Sequence, residues 1–510
     1  MAADIVFENC NGYTLDKSGT RFTSLAVKDG KIIAVGSEAE TAPLIESETR
    51  RIDLGGRTVI PGLIDAHNHL IHYGIEATRS VDLTGCTSIA EVQDRLRKFR
   101  REHPHEAWLL GHRFDQELFA EGRWPTKDDL DEVSEEVPIM ISRVCLHAVV
   151  VNSAALALAQ EHLGQEQLKT GILVEDSADL IWRQIPDPTP EQISEAALWA
   201  MHQARRAGLT GVHCMVTSRE ELEALLTLRA GGQLPIRLTV CCPYSMADYL
   251  EEQSLKPRSG DDLFRIGPLK IFMDGSMGAR TAALKEPYAD DPDNTGVLFR
   301  SDTELADILR EIQSRGFQAA IHAIGDLAVE TALRGIAKAA AFGNDGNYLR
   351  HRIEHASVLA PDLINEMARL AVVAVVQPQF VITDFWTRER VGEERYRWCY
   401  PFKTMLATGV ALAMGSDCPV ERLDAVELIH RAVNREPFSA AECLTAEETV
   451  RAYSLGSAYA GHSERFAGSL EVGKYADFTV ISQDIFAVEP EAISETQVQA
   501  TVVGGEMLEA

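Results

Sequence analysis

The chain has 510 residues, with 77 acidic against 49 basic side chains and a formal net charge of −28. At about 150 residues per domain this length allows two to four domains, and 45% hydrophobic with 25% charged residues is ordinary globular composition. So acidic a chain is a poor partner for nucleic-acid phosphates or anionic lipid, both of which need a basic face.

The N-terminus lacks the charged-then-apolar run of a signal peptide, and no apolar stretch is long enough to span a bilayer. Nine cysteines without regular spacing form neither a disulfide framework nor a CxxC zinc pattern. The adjacent Cys241 and Cys242 read as packed core. These features predict a reduced, cytoplasmic protein with neither nucleic acid nor membrane as a partner.

In chain order, Leu25 to Val35 places Asp29-Gly30 between two runs of β-formers, a hairpin signal. Ala500 to Leu508 repeats the device around Gly504-Gly505, after a further strand at Asp477 to Ser482. Because a two-stranded ribbon is not stable alone, residues 1–58 and 465–510 are expected to combine into one small β-sandwich domain. Between them, eight apolar runs read as strands: Val59 to His69, Leu209 to Val216, Ile236 to Cys242, Leu269 to Gly275, Gln318 to Gly325, Leu349 to Ala356, Ala371 to Gln379 and Val410 to Asp417. Helical segments lie between many of them, including Glu220 to Leu228, Asp302 to Ser314, Ala328 to Ala341 and Pro361 to Leu370. Continuous apolar strands alternating with helices predict a parallel sheet covered on both faces, and eight units predict a (β/α)8 TIM barrel over 59–464. Roughly 140 residues separate the first strand from the second, far more than a βα connection needs. An α+β insertion over 78–205 is therefore expected, emerging where it would wall the barrel mouth.

Candidate ligands end these runs. His67 and His69 are two apart, so an extended strand turns both imidazoles to one side. Alone, the pair is either a metal site or a satisfied polar pair. His322, His355 and Asp417 taken singly read as capping or hydrogen-bonding residues. Together the five lie at the ends of strands one, five, six and eight, the face where barrel active sites form. Imidazoles plus a carboxylate with positions left open for water suit a catalytic zinc site. His72 and His213 also sit near strand ends, with no assigned role.

The PGLIDAHNH strand, the HAIGD and RIEHA segments, GSDCPV and the terminal GKYADFTVIS resemble the amidohydrolase superfamily. The segment LKIFMDGSMGARTA, Leu269 to Ala282, is similar to its YtcJ-like branch, also called amidohydrolase-3 or N-substituted formamide deformylase-like. Within the insertion, Trp108 to His112, Pro125 to Asp131 and His147 to Leu156 match as well. The resemblance implies a metal-dependent hydrolase with one or two divalent ions, usually zinc. It implies that His67, His69 and Asp417 bind one ion and His322 and His355 the other. Lys270 matches the position that related enzymes carboxylate into a bridging ligand; a lysine held in a salt bridge beside a single metal is the alternative. Asp417 would orient the attacking water and take its proton. Asp274, Arg280 and His147 are candidate substrate contacts, although Arg280 could equally pair with an acidic neighbour. Asp326 is expected to support His322 from behind.

The implied reaction is hydrolysis of a C–N bond in a small amide, N-substituted formamide, carbamate, urea or imide. A metal-dependent esterase or lactonase is one alternative, and a catalytically inactive barrel used as a sensor or regulator is another. Homodimers are common in the superfamily and are expected here by resemblance.

Overall fold

Eight short, almost wholly buried strands run parallel in chain order and form the barrel predicted by the alternation of apolar runs and helices. They are β1 (Leu63–Asn68), β2 (Leu209–Met215), β3 (Arg237–Pro243), β4 (Phe264–Phe272), β5 (Ala319–Ala323), β6 (Arg352–His355), β7 (Val373–Val376) and β8 (Ala411–Met414). The structure is a computed structural model that describes residues 2–143, 148–174, 176–340, 347–436 and 438–509. Each strand pairs with the next, from β1 to β8. The ring is nearly closed: beyond the two end strands, the Asp417 N–H donates to the His67 carbonyl at 2.8 Å and the His69 N–H to the Cys418 carbonyl at 2.9 Å.

Helices return the chain between strands, and their starts are written locally. Ser218 caps the helix Arg219–Ala230, a Ser301–Glu304 capping box opens Asp302–Ser314, and Pro361 fills the first position of Pro361–Arg369. Helices outside and side chains inside bury both faces of each strand, which is why the runs are apolar without alternation.

Two strands depart from expectation. The apolar run from Val59 divides at Gly62: Thr58–Pro61 joins another sheet and only Leu63–Asn68 enters the barrel. A Cβ at Gly62 would lie 2.2 Å from Thr210 Oγ1, so glycine is required where the chain passes β2. Strand β4 begins at Phe264, several residues before the apolar run at Leu269, since Arg265 interrupts the pattern.

The two chain ends share a core. A six-stranded sheet has the order Glu506–Glu509, Val498–Val503, Phe478–Ile481, Thr58–Pro61, Asn11–Tyr13, Arg21–Phe22. A four-stranded sheet has the order Lys31–Gly36, Ser24–Lys28, Ile5–Glu8, Arg50–Asp53. Phe7, Leu25, Phe22, Val59, Phe478 and Val502 belong to one apolar cluster between them. Phe7 meets Phe478 edge-on at 4.9 Å.

Residues 72–197 form a separate compact unit, where 78–205 was expected. Helices Leu70–Arg79 and Pro190–Arg206 run through its borders, so element ends and unit ends do not coincide. Its five-stranded sheet has the order Ile172–Val174, Ala148–Val151, Ile139–Arg143, Leu109–Phe114, Ser80–Asp82. Among the described residues, no helix is long and apolar enough to cross a membrane.

Candidate metal centre

Strand β1 and the segment after β8 build the centre together. A Cβ at Gly415 would stand 2.4 Å from the His67 amide nitrogen, so the missing side chain is what lets the two segments touch. Asp65 then ties them: it accepts the Ser416 hydroxyl at 2.6 Å, the Ser416 amide at 3.0 Å, the Asn68 side chain at 2.9 Å and the His67 amide at 3.1 Å. Its burial raises the Asp65 carboxyl to about 6 against these bonds.

That seam sets the first three candidate ligands. One carboxylate oxygen of Asp417 lies 3.4 Å from His67 Nε2 and 3.3 Å from His69 Nε2. Ligand atoms of His67, His69 and Asp417 all fall within 4.8 Å of one another. The second Asp417 oxygen is 4.0 Å from His355 Nδ1. His355 packs against His67 with ring centres 4.9 Å apart and against His322 at 4.5 Å. Lys270 Nζ, on β4, completes the cluster 3.4 Å from His67 Nε2. All six residues gathered from strands one, four, five, six and eight therefore meet at one place.

Backbone geometry explains how consecutive residues of β6 can serve one centre. Alternation would send Glu354 and His355 to opposite faces. His355 has φ 73°, and Asp417 has φ 61°, left-handed conformations that redirect each side chain at the end of its strand.

The donors suit a divalent cation. His67 Nδ1 donates to Glu354 at 2.6 Å, His355 Nδ1 to Gln377 at 2.9 Å, and His322 Nε2 to the Gly275 carbonyl at 3.0 Å. Each acceptor fixes a tautomer and leaves the opposite ring nitrogen with its lone pair, as metal-bound imidazoles require. Burial, followed by the Lys270 charge, pushes His67 well below its ordinary range and His322 down to about 3. Burial and the neighbouring His322 do the same to His355. Burial also lowers Lys270 from its ordinary range, against the raising effect of Glu354 and Asp417. Neutral imidazoles beside a carboxylate and an amine form a set of N and O donors matched to zinc or a similar ion.

Other expected residues are engaged by partners of their own. Asp274 is fully buried, and its carboxylate accepts the amides of Ile324 at 3.0 Å, Gly325 at 2.9 Å and Ala283 at 2.9 Å. It pins the loops after β4 and β5, with Oδ1 3.5 Å from His322 Nε2, and does not present a free carboxylate to substrate. Burial raises it to about 7. Asp326 accepts the Lys285 amide at 2.9 Å and its neighbour Leu327 at 3.0 Å, whereas His322 is held by Gly275. The support expected from Asp326 is thus supplied by the Gly275 carbonyl, with Asp274 Oδ1 3.5 Å from the same nitrogen. Arg280 pairs with Asp290 at 2.8 Å, the acidic-neighbour alternative. His147 lies outside the described residues.

Sequence reasoning missed the buried Arg352 and Glu354, although their i, i+2 spacing on β6 signals two side chains on one face. It also left out Gln377, Asp65 and any role for His213, whose Nδ1 accepts from Arg352 at 2.9 Å.

Comparison with known proteins identifies the family. The family model described as amidohydrolase family matches residues 50–508. The chain is 33% identical to the putative amidohydrolase YtcJ of Bacillus subtilis (strain 168), over 97% of each protein. It is 28% identical to the N-substituted formamide deformylase of Arthrobacter pascens, over 98% of this chain and 97% of the relative. Among solved structures, an uncharacterized metal-dependent hydrolase from Pyrococcus furiosus superposes with a TM-score of 0.83 at 30% identity, covering 94% of this chain and 99% of the other.

Proposed function

The chain belongs to the amidohydrolase family and is a metal-dependent hydrolase of that superfamily, and on that premise we propose that it hydrolyses the C–N bond of an amide or N-substituted formamide. The carrying observation is the meeting of His67, His69, Asp417, His322, His355 and Lys270 at the ends of five barrel strands, with ring nitrogens left free. The likeness to a formamide deformylase over nearly the whole chain favours that substrate class over other acyl compounds.

His67, His69 and Asp417 would hold one ion, most suitably zinc, and His322 with His355 a second. A divalent ion bound there supplies Lewis acidity and lowers the pKa of water toward neutrality. Asp417 is the general base: it orients the attacking water, accepts one proton and returns it to the leaving nitrogen, so the amine departs neutral. Lys270, once carboxylated, would supply an anionic ligand shared by the two ions. Its neutral amine adds to carbon dioxide, an N–C bond forms, one C=O π pair moves onto oxygen and the nitrogen proton leaves, giving an anionic carbamate. Phe272, 46% exposed and with its ring 5.1 Å from that of His322, offers an apolar wall for the substituent on nitrogen.

The test is steady-state turnover of matched N-alkyl formamides, amides and esters by protein loaded with zinc. Preferential release of amine from the formamide or amide supports the reading. Faster cleavage of the matched ester, with no amine released, would replace it with an esterase.

A further inference from the structure

One chain of buried side chains crosses the inside of the barrel and ends on His67, a ligand of the proposed ion. Arg352 grips Glu354 as a fork, with Nε to Oε1 at 2.6 Å and Nη2 to Oε2 at 3.3 Å. The same guanidinium donates to the Ala66 carbonyl at 3.0 Å and to His213 Nδ1 at 2.9 Å. Glu354 Oε2 then takes the Nδ1 proton of His67 at 2.6 Å. Arg352 and Glu354 are fully buried, and His67 is 1% exposed. Strand β6 is neighbour to neither β1 nor β2, so this rod spans the interior and fixes three strands at once.

Two buried charges are poor value for stability alone, because desolvation offsets most of their attraction. Their geometry has a different use. A carboxylate anchored by a bidentate arginine cannot rotate, so its remaining lone pair holds the His67 ring in one orientation with Nε2 aimed at Asp417.

We propose that Glu354, anchored by Arg352, is a positioning residue of the metal centre: it fixes the tautomer and direction of His67 and thereby sets the affinity for the ion. The test uses binding and needs no substrate, so it stands apart from the assignment of the reaction. Cobalt(II) affinity is measured by competition with a chromophoric chelator, together with the visible spectrum of the bound cobalt. Glu354→Gln is expected to bind cobalt 10–100-fold more weakly, the usual range for losing a partner of a metal-bound histidine, and with altered visible bands. Removing one member of a buried pair can unfold a protein, so the companion variant R352M/E354M deletes both charges and is expected to fold with the same loss of affinity. Wild-type affinity and spectrum in either folded variant would overturn the proposal. Failure of both variants to fold would also overturn it, because the pair would then be an element of folding.

Discussion

Asp417 is placed by a left-handed backbone turn rather than by strand alternation, which sets it between two imidazoles, where the roles of ligand and base are proposed for it. Its left-handed φ of 61° brings one oxygen within 3.4 Å of His67 Nε2 and 3.3 Å of His69 Nε2. Asp417→Asn keeps the oxygen that faces the ion and loses the proton acceptor. We expect it to retain metal and to lower kcat by about 10²-fold or more, read by metal analysis beside steady-state kinetics; near wild-type turnover would refute the role. Residues of this kind are half legible. His67, His69, His322, His355 and Asp417 stand out because polar groups punctuate apolar runs. Glu354 does not, because alternation places it opposite His355, and no feature of RIEHA announces the left-handed turn that unites them. Asp274 and Asp326 look like site acids in sequence, yet each is consumed by backbone amides, whose positions depend on loops folding far from them in the chain.

Away from the centre, His351 offers a pH test at the same scale. Its Nδ1 accepts the Ala319 amide at 2.9 Å, and burial lowers it to about 4. The unfolded chain therefore binds a proton below about 6.5 that the folded chain refuses. This contribution is present above that pH and is lost as pH falls toward 4. Denaturant unfolding of wild type and His351→Gln at pH 7 and pH 5 should show wild type losing about 2 kcal/mol more than the variant over that step. Equal losses would show that His351 titrates normally.

At the scale of elements, the barrel closes through a seam that a methyl group would wedge open. Gly415→Ala puts a Cβ 2.4 Å from the His67 amide nitrogen, and overpacking of this kind costs about 1–3 kcal/mol. Because the displaced strand carries His67, the variant should also lose bound metal. Thermal unfolding and metal content measured together check this, and unchanged values of both would contradict the seam. The barrel itself is readable in the sequence because apolar runs alternate with helices, several of which carry their own start signal, as at Ser218 and Ser301. The division at Gly62 is signalled only by the Pro61-Gly62 dipeptide, a turn signal that the apolar residues on either side mask, and the close approach of Thr210 is what requires glycine there. The early start of β4 is hidden likewise by Arg265, a charge inside a strand.

For the molecule as a whole, the candidate centre is assembled from residues more than three hundred positions apart, so an ion bound there would link distant parts of the chain. A ligand that binds only the folded state stabilises it by about 2.7 kcal/mol at one hundred times its Kd. Chelation should therefore lower the Tm and abolish turnover, and restoring zinc should recover both; differential scanning calorimetry with a parallel assay reads the two together. A Tm indifferent to chelator would show that the ion bears no load in the fold.

A metal ion held between His67, His69 and Asp417 is what makes this centre a hydrolytic one. The most direct measurement is an anomalous difference map, recorded just above the zinc absorption edge, from crystals of the zinc-loaded protein. The predicted result is a peak within coordination distance of His67 Nε2, His69 and Asp417, beside Lys270. Zinc bound elsewhere on the chain, with no peak at these residues, would contradict it.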